Sequence, residues 1–416
     1  MGVKQSQYDI QVSHSPAHRD FSMKKMLLAI ALIIIAVPAY LLGSGTIDTS
    51  SFAMILNVMT GKGIDAPEAS EIDSRFALPE GFQLSLYASG VDNARFIEMT
   101  QSRDLIVTRP HKGDVIMIRA NETDPKRGGE HSTLLKDLNR PSGIDVADGW
   151  LYIAESDAVG RIRFDVSNGS TEGDYERIVT GLTEDGNHPF KVIGISPDKK
   201  LYLAQGSTCN VCIESDARRS TMVRYQLDGS GEEQVASGLR NTMGFDWAPW
   251  NGALYATDNG RDMLGDDYPP CELNLIEDKQ FYGWPYFNGA NMPDPDFGKA
   301  PAALAAKPIA PAHEFRAHNA PLGMSFLESS TLPEAYQNTA LVALHGSWNR
   351  SSPDGYRVVS LHWNGEEITR KDFLTGFEKD GDIIGRPVDI SEGPDGAIYI
   401  SDDYAGAIYR VVHSSL

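Results

Sequence analysis

From residue 76 onward the apolar positions come in short runs, with no long stretch at helical spacing. A unit recurs: an apolar run, a turn bearing Pro, Asp or Gly, then a Leu-Tyr-type run that ends in small or acidic residues. Its copies are ARFIEMTQSRDLIVTRP from Ala94, PSGIDVADGWLYIAES from Pro141, VIGISPDKKLYLAQGS from Val192, MGFDWAPWNGALYATDNG from Met243, PLGMSFLESSTLPEAYQNTALVALHGS from Pro321 and PVDISEGPDGAIYISDD from Pro387. Several are followed by a third, alternating run, such as GRIRFDV from Gly160, TMVRYQL from Thr221, GYRVVSLHW from Gly355 and GAIYRVV from Gly406.

The second run of each unit starts at Leu105, Leu151, Leu201, Leu254, Leu341 and Ile398, giving steps of 46, 50, 53, 87 and 57 residues. Several strands per unit at such a period predict a β-propeller, because one blade cannot bury both its faces and must stack until the ring closes. Six copies predict six blades over residues 76–416. An irregular β-sandwich with Asp-Gly hairpins does not account for the recurrence. The long step places an excursion at residues 282–320, whose Trp284, Tyr286, Phe287 and Phe297 suggest an ordered wall of a binding site.

The N-terminus follows a different pattern. Met26 to Leu42 is a 17-residue apolar or weakly polar run behind Lys24 and Lys25, at the lower edge for a membrane span. Val37-Pro38-Ala39 offers a small-residue cleavage site, so a signal peptide is the alternative. The resulting division is a cytoplasmic polar lead (1–23), an N-terminal hydrophobic helix serving as inner-membrane anchor or signal (24–45), a linker (46–75) and the propeller (76–416). Everything after about residue 46 is then extracytoplasmic or periplasmic.

Composition adds two constraints. A formal net charge of -20 speaks against a nucleic-acid partner, and any anionic ligand must be gripped by a local cluster of cations. Cys209-Asn210-Val211-Cys212 suits a disulfide in an oxidising compartment, with a redox pair or half a zinc site as alternatives; Cys271 is left over as a buried thiol.

Candidate chemistry gathers where blades begin. His188 lies before the first strand of the third repeat, Arg240-Asn241 before that of the fourth, and Arg386 before that of the sixth. Arg350 follows a second strand in His345-Gly346-Ser347-Trp348-Asn349-Arg350. Guanidinium groups at repeated entries of an acidic chain point to a polyanionic ligand. The acid-rich loop Asp258-Asn259-Gly260-Arg261-Asp262-Met263-Leu264-Gly265-Asp266-Asp267 offers hard oxygen ligands of the kind Ca²⁺ takes, or a capped turn. Neither a G-x-S-x-G elbow nor a phosphate loop nor a dinucleotide fingerprint is present.

GLRNTMGFDWAP from Gly238, TDNGRDMLGDDYPPCELN, YGWPY, HGSWNRSSPDGYRVV and GRPVDISEGPDGAIYISDD follow one another in an order that resembles the quinoprotein glucose/sorbosone dehydrogenases. GSTCNVC from Gly206 is similar to sorbosone-dehydrogenase-like members, and the likeness runs from about Leu78 to Val412. The resemblance implies oxidation of an aldose, or a related sugar or aldehyde, at C1 by hydride transfer to pyrroloquinoline quinone (PQQ) with Ca²⁺. It implies His188 as general base, Arg240 and Asn241 on the quinone oxygens, Arg350 and Arg386 on the cofactor carboxylates, and the Gly260 and Arg261 carbonyls on Ca²⁺. A membrane quinone or small redox protein is the implied electron acceptor. Pro189 and Phe190, after the base, depart from the family pattern. A Ca²⁺-dependent hydrolytic propeller and a non-catalytic binding propeller are the rival readings.

Overall fold

The computed structural model describes residues 63–301 and 308–414, together with Gly43, Met54 and Leu304. The hydrophobic run 26–42, and with it the expected N-terminal helix, lies outside the described residues.

Six sheets form in chain order, each with four antiparallel strands and the third with a fifth strand added. Their innermost strands are Ile97–Met99, Ile144–Ala147, Lys191–Ile195, Thr242–Trp247, Pro321–Phe326 and Pro387–Glu392. Each packs against the innermost strand of the next sheet, and the sixth returns to the first, so the sheets close a six-bladed ring around a channel. The ring is locked by exchange between the ends of the chain. Phe82–Ala88 supplies the outermost strand of the sixth blade and pairs with Ala407–His413, with Phe82 opposite His413 and Leu86 opposite Tyr409.

All second strands expected from the repeat are present, from Leu105–Arg109 to Ile398–Asp402. Leu254–Asp258 and Thr339–Leu344 are buried at every position, because both faces of a blade are covered by neighbouring blades. Outer strands such as Glu367–Leu374 return to a mostly polar, solvent-facing composition. Apolar clusters therefore form between blades: Ile106, Val115 and Met117 of the first pack with Leu151, Ile153 and Phe164 of the second. Turn chemistry follows the same logic. Asp148 (φ 50°) and Gly149 (φ 75°) make the two-residue hairpin between paired Ala147 and Trp150, a turn that requires positive φ at both positions.

The excursion at 282–320 leaves blade four after its third strand, Cys271–Ile276, and returns to supply the fourth, His313–Phe315. On the way Gln280–Phe281 adds a parallel strand to blade three beside Ala236 and Ser237.

The two ends of the channel differ. First strands begin at one mouth, and their far ends line a cavity of about 870 Å³ at the other. There Asp145 accepts the Ile195 N–H at 2.6 Å, Asp246 that of Phe326 at 2.7 Å and Asp389 that of Ile97 at 3.0 Å. Carboxyl groups thus join blade two to three, four to five and six to one. Burial pushes Asp246 and Asp389 up to about 7 and Asp145 to about 6.

Candidate active site

At the opposite mouth, buried carboxyls at the ends of second strands fix the backbone where inner strands begin. Asp258 accepts the amides of Arg240 at 2.8 Å and Asn241 at 2.5 Å, and Asp402 accepts that of Arg386 at 2.9 Å. The acidic residue that closes the Leu-Tyr run therefore positions the arginine opening the neighbouring strand of its own blade. A cavity of about 340 Å³ lies at this mouth, and His188, Arg240, Asn241, Gly260 and Arg386 all line it. Residues from blades three, four and six converge there.

His188 sits on the irregular loop 183–189, whose carbonyls are held by buried cations in place of a strand ladder. Arg219 donates to the carbonyls of Thr183 and His188, and Lys191 Nζ to those of Thr183 and Pro189. Nδ1 of His188 lies 2.8 Å from the Ser207 carbonyl oxygen and 3.0 Å from Ser207 Oγ. A carbonyl only accepts, so Nδ1 carries the proton and Nε2 holds the lone pair. Burial first, and the Arg240 charge second, hold this imidazole at about 3, so it is neutral over the ordinary pH range.

Arg240 is fixed by the CNVC loop. Its Nε donates to the Asn210 carbonyl and its terminal nitrogens to Asn210 Oδ1, the Asn259 carbonyl and Asp262 Oδ2, at 3.0 to 3.1 Å. Cys209 and Cys212 are joined as a disulfide, and Glu214 closes the loop from below by accepting from the Thr208 amide and hydroxyl. The disulfide loop thus presents Asn210 to the guanidinium. Cys271 is free and buried, as the count of three required, and it lines the cavity; burial pushes its thiol up to about 11.

One expected side chain falls elsewhere, and one residue expected to serve through its backbone carbonyl sends its side chain away. The Arg350 guanidinium is buried outside the cavity lining, donating to the Asp266 and Ala317 carbonyls and to Asp267. That pattern fixes the acid-rich loop against blade five and leaves Arg350 no reach into the cavity lining. Arg261 turns away into the excursion, where Asp294 takes it at 2.7 Å and Asp296 at 2.9 Å. The excursion contributes His318 and Ala320 to the cavity, whereas Trp284 and Tyr286 are buried away from it.

Sequence reasoning missed His318 and gave no role to His345 and Trp348, while Asn259 and Asp262 stood in the acid-rich loop read as hard oxygen ligands; all five line the cavity. His345 and Trp348 were visible in HGSWNR, but only pairing shows that His345 follows directly on the second strand of blade five, facing the mouth.

Residues 151–410 match the family described as Glucose / Sorbosone dehydrogenase. An uncharacterized protein of Borreliella burgdorferi is 33% identical over 365 residues, covering 84% of this chain and 93% of that protein. Among solved structures, a Trichoderma reesei carbohydrate-active enzyme of family AA12 superposes with a TM-score of 0.72 at 20% identity, over 82% of this chain and 98% of that one. The PQQ domain of pyranose dehydrogenase from Coprinopsis cinerea gives 0.69 at 20% identity, over 84% and 99%. At such identity these two neighbours speak for the six-bladed fold, while the family match spans most of the ring and the mouth residues on blades three to six. The chain belongs to the glucose/sorbosone dehydrogenase family.

Proposed function

We propose that this sugar oxidoreductase oxidises an aldose, or a related sugar or aldehyde, at C1 with PQQ and Ca²⁺. The observation that carries the reading is the tautomer of His188: Nδ1 is committed to Ser207, which leaves the Nε2 lone pair unprotonated on a residue lining the same cavity as Arg240, Asn241 and Arg386. When bound, the quinone supplies the two-electron acceptor for the hydride leaving C1.

The residues fit such a group. Arg386 uses only Nε and one terminal nitrogen on protein carbonyls, leaving donors for a carboxylate or quinone oxygen. Asn241 Oδ1 and Asn259 Oδ1 are buried without a donor, the state expected of oxygens that await a cation. Gly260 lines the cavity beside them, and its carbonyl with that of Arg261 would complete a hard-oxygen set of the kind Ca²⁺ takes. Nε2 of His188 takes the proton of the C1 hydroxyl as the C–H bond breaks, and Arg240 stabilises negative charge that develops across the cavity. Asp262, within 3.1 Å of Arg240, offsets the repulsion between that guanidinium and the imidazolium formed.

A hydrolytic propeller would need several carboxylates around a metal. Among the described residues the one group of three whose ligand atoms lie within 4.8 Å of one another is Cys209, Cys212 and Glu214, and its sulfurs are bonded to each other. The cleft at the mouth also favours an enzyme over a passive binding propeller, because an oriented imidazole is of no use to the latter. The disulfide suits an extracytoplasmic site, with residues 26–42 as anchor or signal and a membrane quinone or small redox protein as acceptor.

The test is calorimetric titration of the Ca²⁺-loaded protein with PQQ, followed by dye reduction with a panel of aldoses. His188→Ala should lower kcat by about 10²- to 10⁴-fold and leave PQQ affinity nearly unchanged. Absence of PQQ binding overturns the proposal.

A further inference from the structure

Beyond His345 and Arg386, which line both, the site cavity adjoins a second one of about 400 Å³. Its inner wall carries Arg95, at the entry of blade one. That is the position Arg240 and Arg386 occupy in blades four and six, two and one residues ahead of their inner strands. Arg95 NH1 donates to Asp403 Oδ2 at 2.6 Å, and His345 Nε2 lies 2.9 Å from Asp403 Oδ1. Both oxygens of that carboxylate are therefore in use. Arg386 reaches only the His345 and Gly346 carbonyls and has no carboxylate partner among the described residues.

The charges do not balance. Two buried guanidinium groups share one carboxylate held ionised beside them, Asp403; burial pushes nearby Asp389 up to about 7, so it is mostly protonated below that pH, and burial together with Arg386 holds His345 at about 4, hence neutral. One positive charge is left over inside a chain of net charge -20. Burial of an unpaired cation is costly, and evolution retains it chiefly where a ligand supplies the counter-charge. A second sign is local: Arg95 is 8% exposed, and its Nε is buried without an acceptor. Its guanidinium lies over the Phe190 ring at 4.7 Å, which fixes the plane of its donors. The acids at the rim do not fill the deficit, since Asp65 is exposed and Asp92 pairs with Lys112 at 3.4 Å.

We propose that Arg95 and Arg386, with Asp403 between them, form a carboxylate-binding subsite that joins the two cavities. A guanidinium suits a carboxylate because its planar fork presents parallel donors. The carboxylate comes either from the quinone cofactor or from an acidic sugar, and only the first source rests on the function proposed above. Phe190 thereby acquires a role: it holds Arg95 flat against the wall.

The test is calorimetric titration of the full chain with Ca²⁺ present, using PQQ, glucuronate and uncharged glucose as probes. The variants are Arg95→Gln and Arg95→Lys, with Arg95→Gln/Asp403→Asn to guard against misfolding around a stranded carboxylate. Arg95→Gln is expected to weaken one of the two anionic probes by at least about 10-fold, with Arg95→Lys recovering part of the loss and glucose unaffected. Loss for PQQ alone identifies the cofactor as the source, and loss for glucuronate alone identifies a sugar acid. If wild type ignores PQQ but binds glucuronate through Arg95, the proposed function fails while the subsite stands. Unchanged affinity for both anions in all variants, or no binding of either by wild type, overturns the subsite.

Discussion

Gly206 follows directly on the second strand of blade three, Lys200–Gln205, between His188 and Asn241. A Cβ there would lie 2.4 Å from Asn241 Oδ1 and 2.9 Å from the His188 Cβ. Ordinary carbon contacts are about 3.5–4.0 Å, so Gly206→Ala must move one or both partners by roughly 0.6–1 Å. Asp258 holds the Asn241 backbone and Ser207 holds the His188 ring, so the shift falls on the Asn241 carboxamide, whose Oδ1 has no partner, and on the ring itself. Overpacking of this kind costs about 1–3 kcal/mol, which at about 2 °C per kcal/mol, the low end for a large chain, lowers Tm by roughly 2–6 °C. A displacement of about 1 Å at a reacting group costs about 10²-fold in rate. The expected result is a protein that folds, melts slightly early and turns over sugar about 10- to 100-fold more slowly, with KM for the sugar changed far less. Differential scanning calorimetry and steady-state dye reduction measure the two halves separately. Wild-type kcat in a variant with the expected drop in Tm would refute the claim that these two side chains set the reacting geometry.

Three further outcomes follow, two from contacts around the site and one from the opposite mouth. Reduction of Cys209–Cys212, or Cys209→Ser with Cys212→Ser, frees the loop that presents Asn210 to Arg240; PQQ affinity in a binding titration should fall severalfold, beyond the about 2 kcal/mol of stability that so short a loop contributes. Arg219→Met removes the donor shared by the His188 and Ser207 carbonyls, so kcat should fall about 10-fold or more while PQQ affinity stays near wild type; equal loss of both would show a general collapse of the loop. Asp246 keeps its proton to about pH 7 in the folded chain against 3.8 unfolded, so the native state binds more protons between those values and this group's stabilisation is lost as pH rises from 4 to 7. Asp246→Asn should flatten that fall in Tm, and a melting curve series with an unchanged slope from pH 4 to 8 counts against it.

The ring was legible because its physics is repetitive. Each blade is covered on both sides, so each second strand must be an apolar run near a fixed spacing, and Leu105 to Ile398 mark all six. The closing strand was not, since Phe82–Ala88 completes the blade of residues 387–413, more than 300 positions away, and nothing local in FQLSLYA names its partner. Four of the expected side chains, His188, Arg240, Asn241 and Arg386, share one cavity because the blade-entry rule that selected them is geometric. Arg350 was chosen without that rule, from a loop after a second strand, and the structure ties it to the carbonyls of Asp266 and Ala317.

The same rule, carried through to blade one, points to a residue the sequence reading passed over. Arg95 precedes Ile97–Met99 as Arg240 precedes Thr242–Trp247, and the first repeat begins one residue before it. In sequence it stands inside an ordinary apolar run, ARFIEM, where an arginine reads as a rim residue snorkelling to water. What separates the two readings is the partner: Asp403 lies 308 residues away and meets Arg95 only because the sixth blade returns to the first. Ring closure therefore does more than hide the last sheet edge. It brings an arginine from the start of the propeller beside the Asp403, His345 and Arg386 of its end, and the surplus charge at this seam exists only in the closed ring. Opening the seam should abolish it: Ser85→Pro/Leu86→Pro, which removes two successive N–H groups of which one faces Ala407–His413, should weaken binding at the seam even though none of the ligand-facing side chains is altered. Affinity for the Arg95-dependent anion that stayed at the wild-type value in such a variant, with its melting temperature lowered, would show that the subsite does not depend on closure.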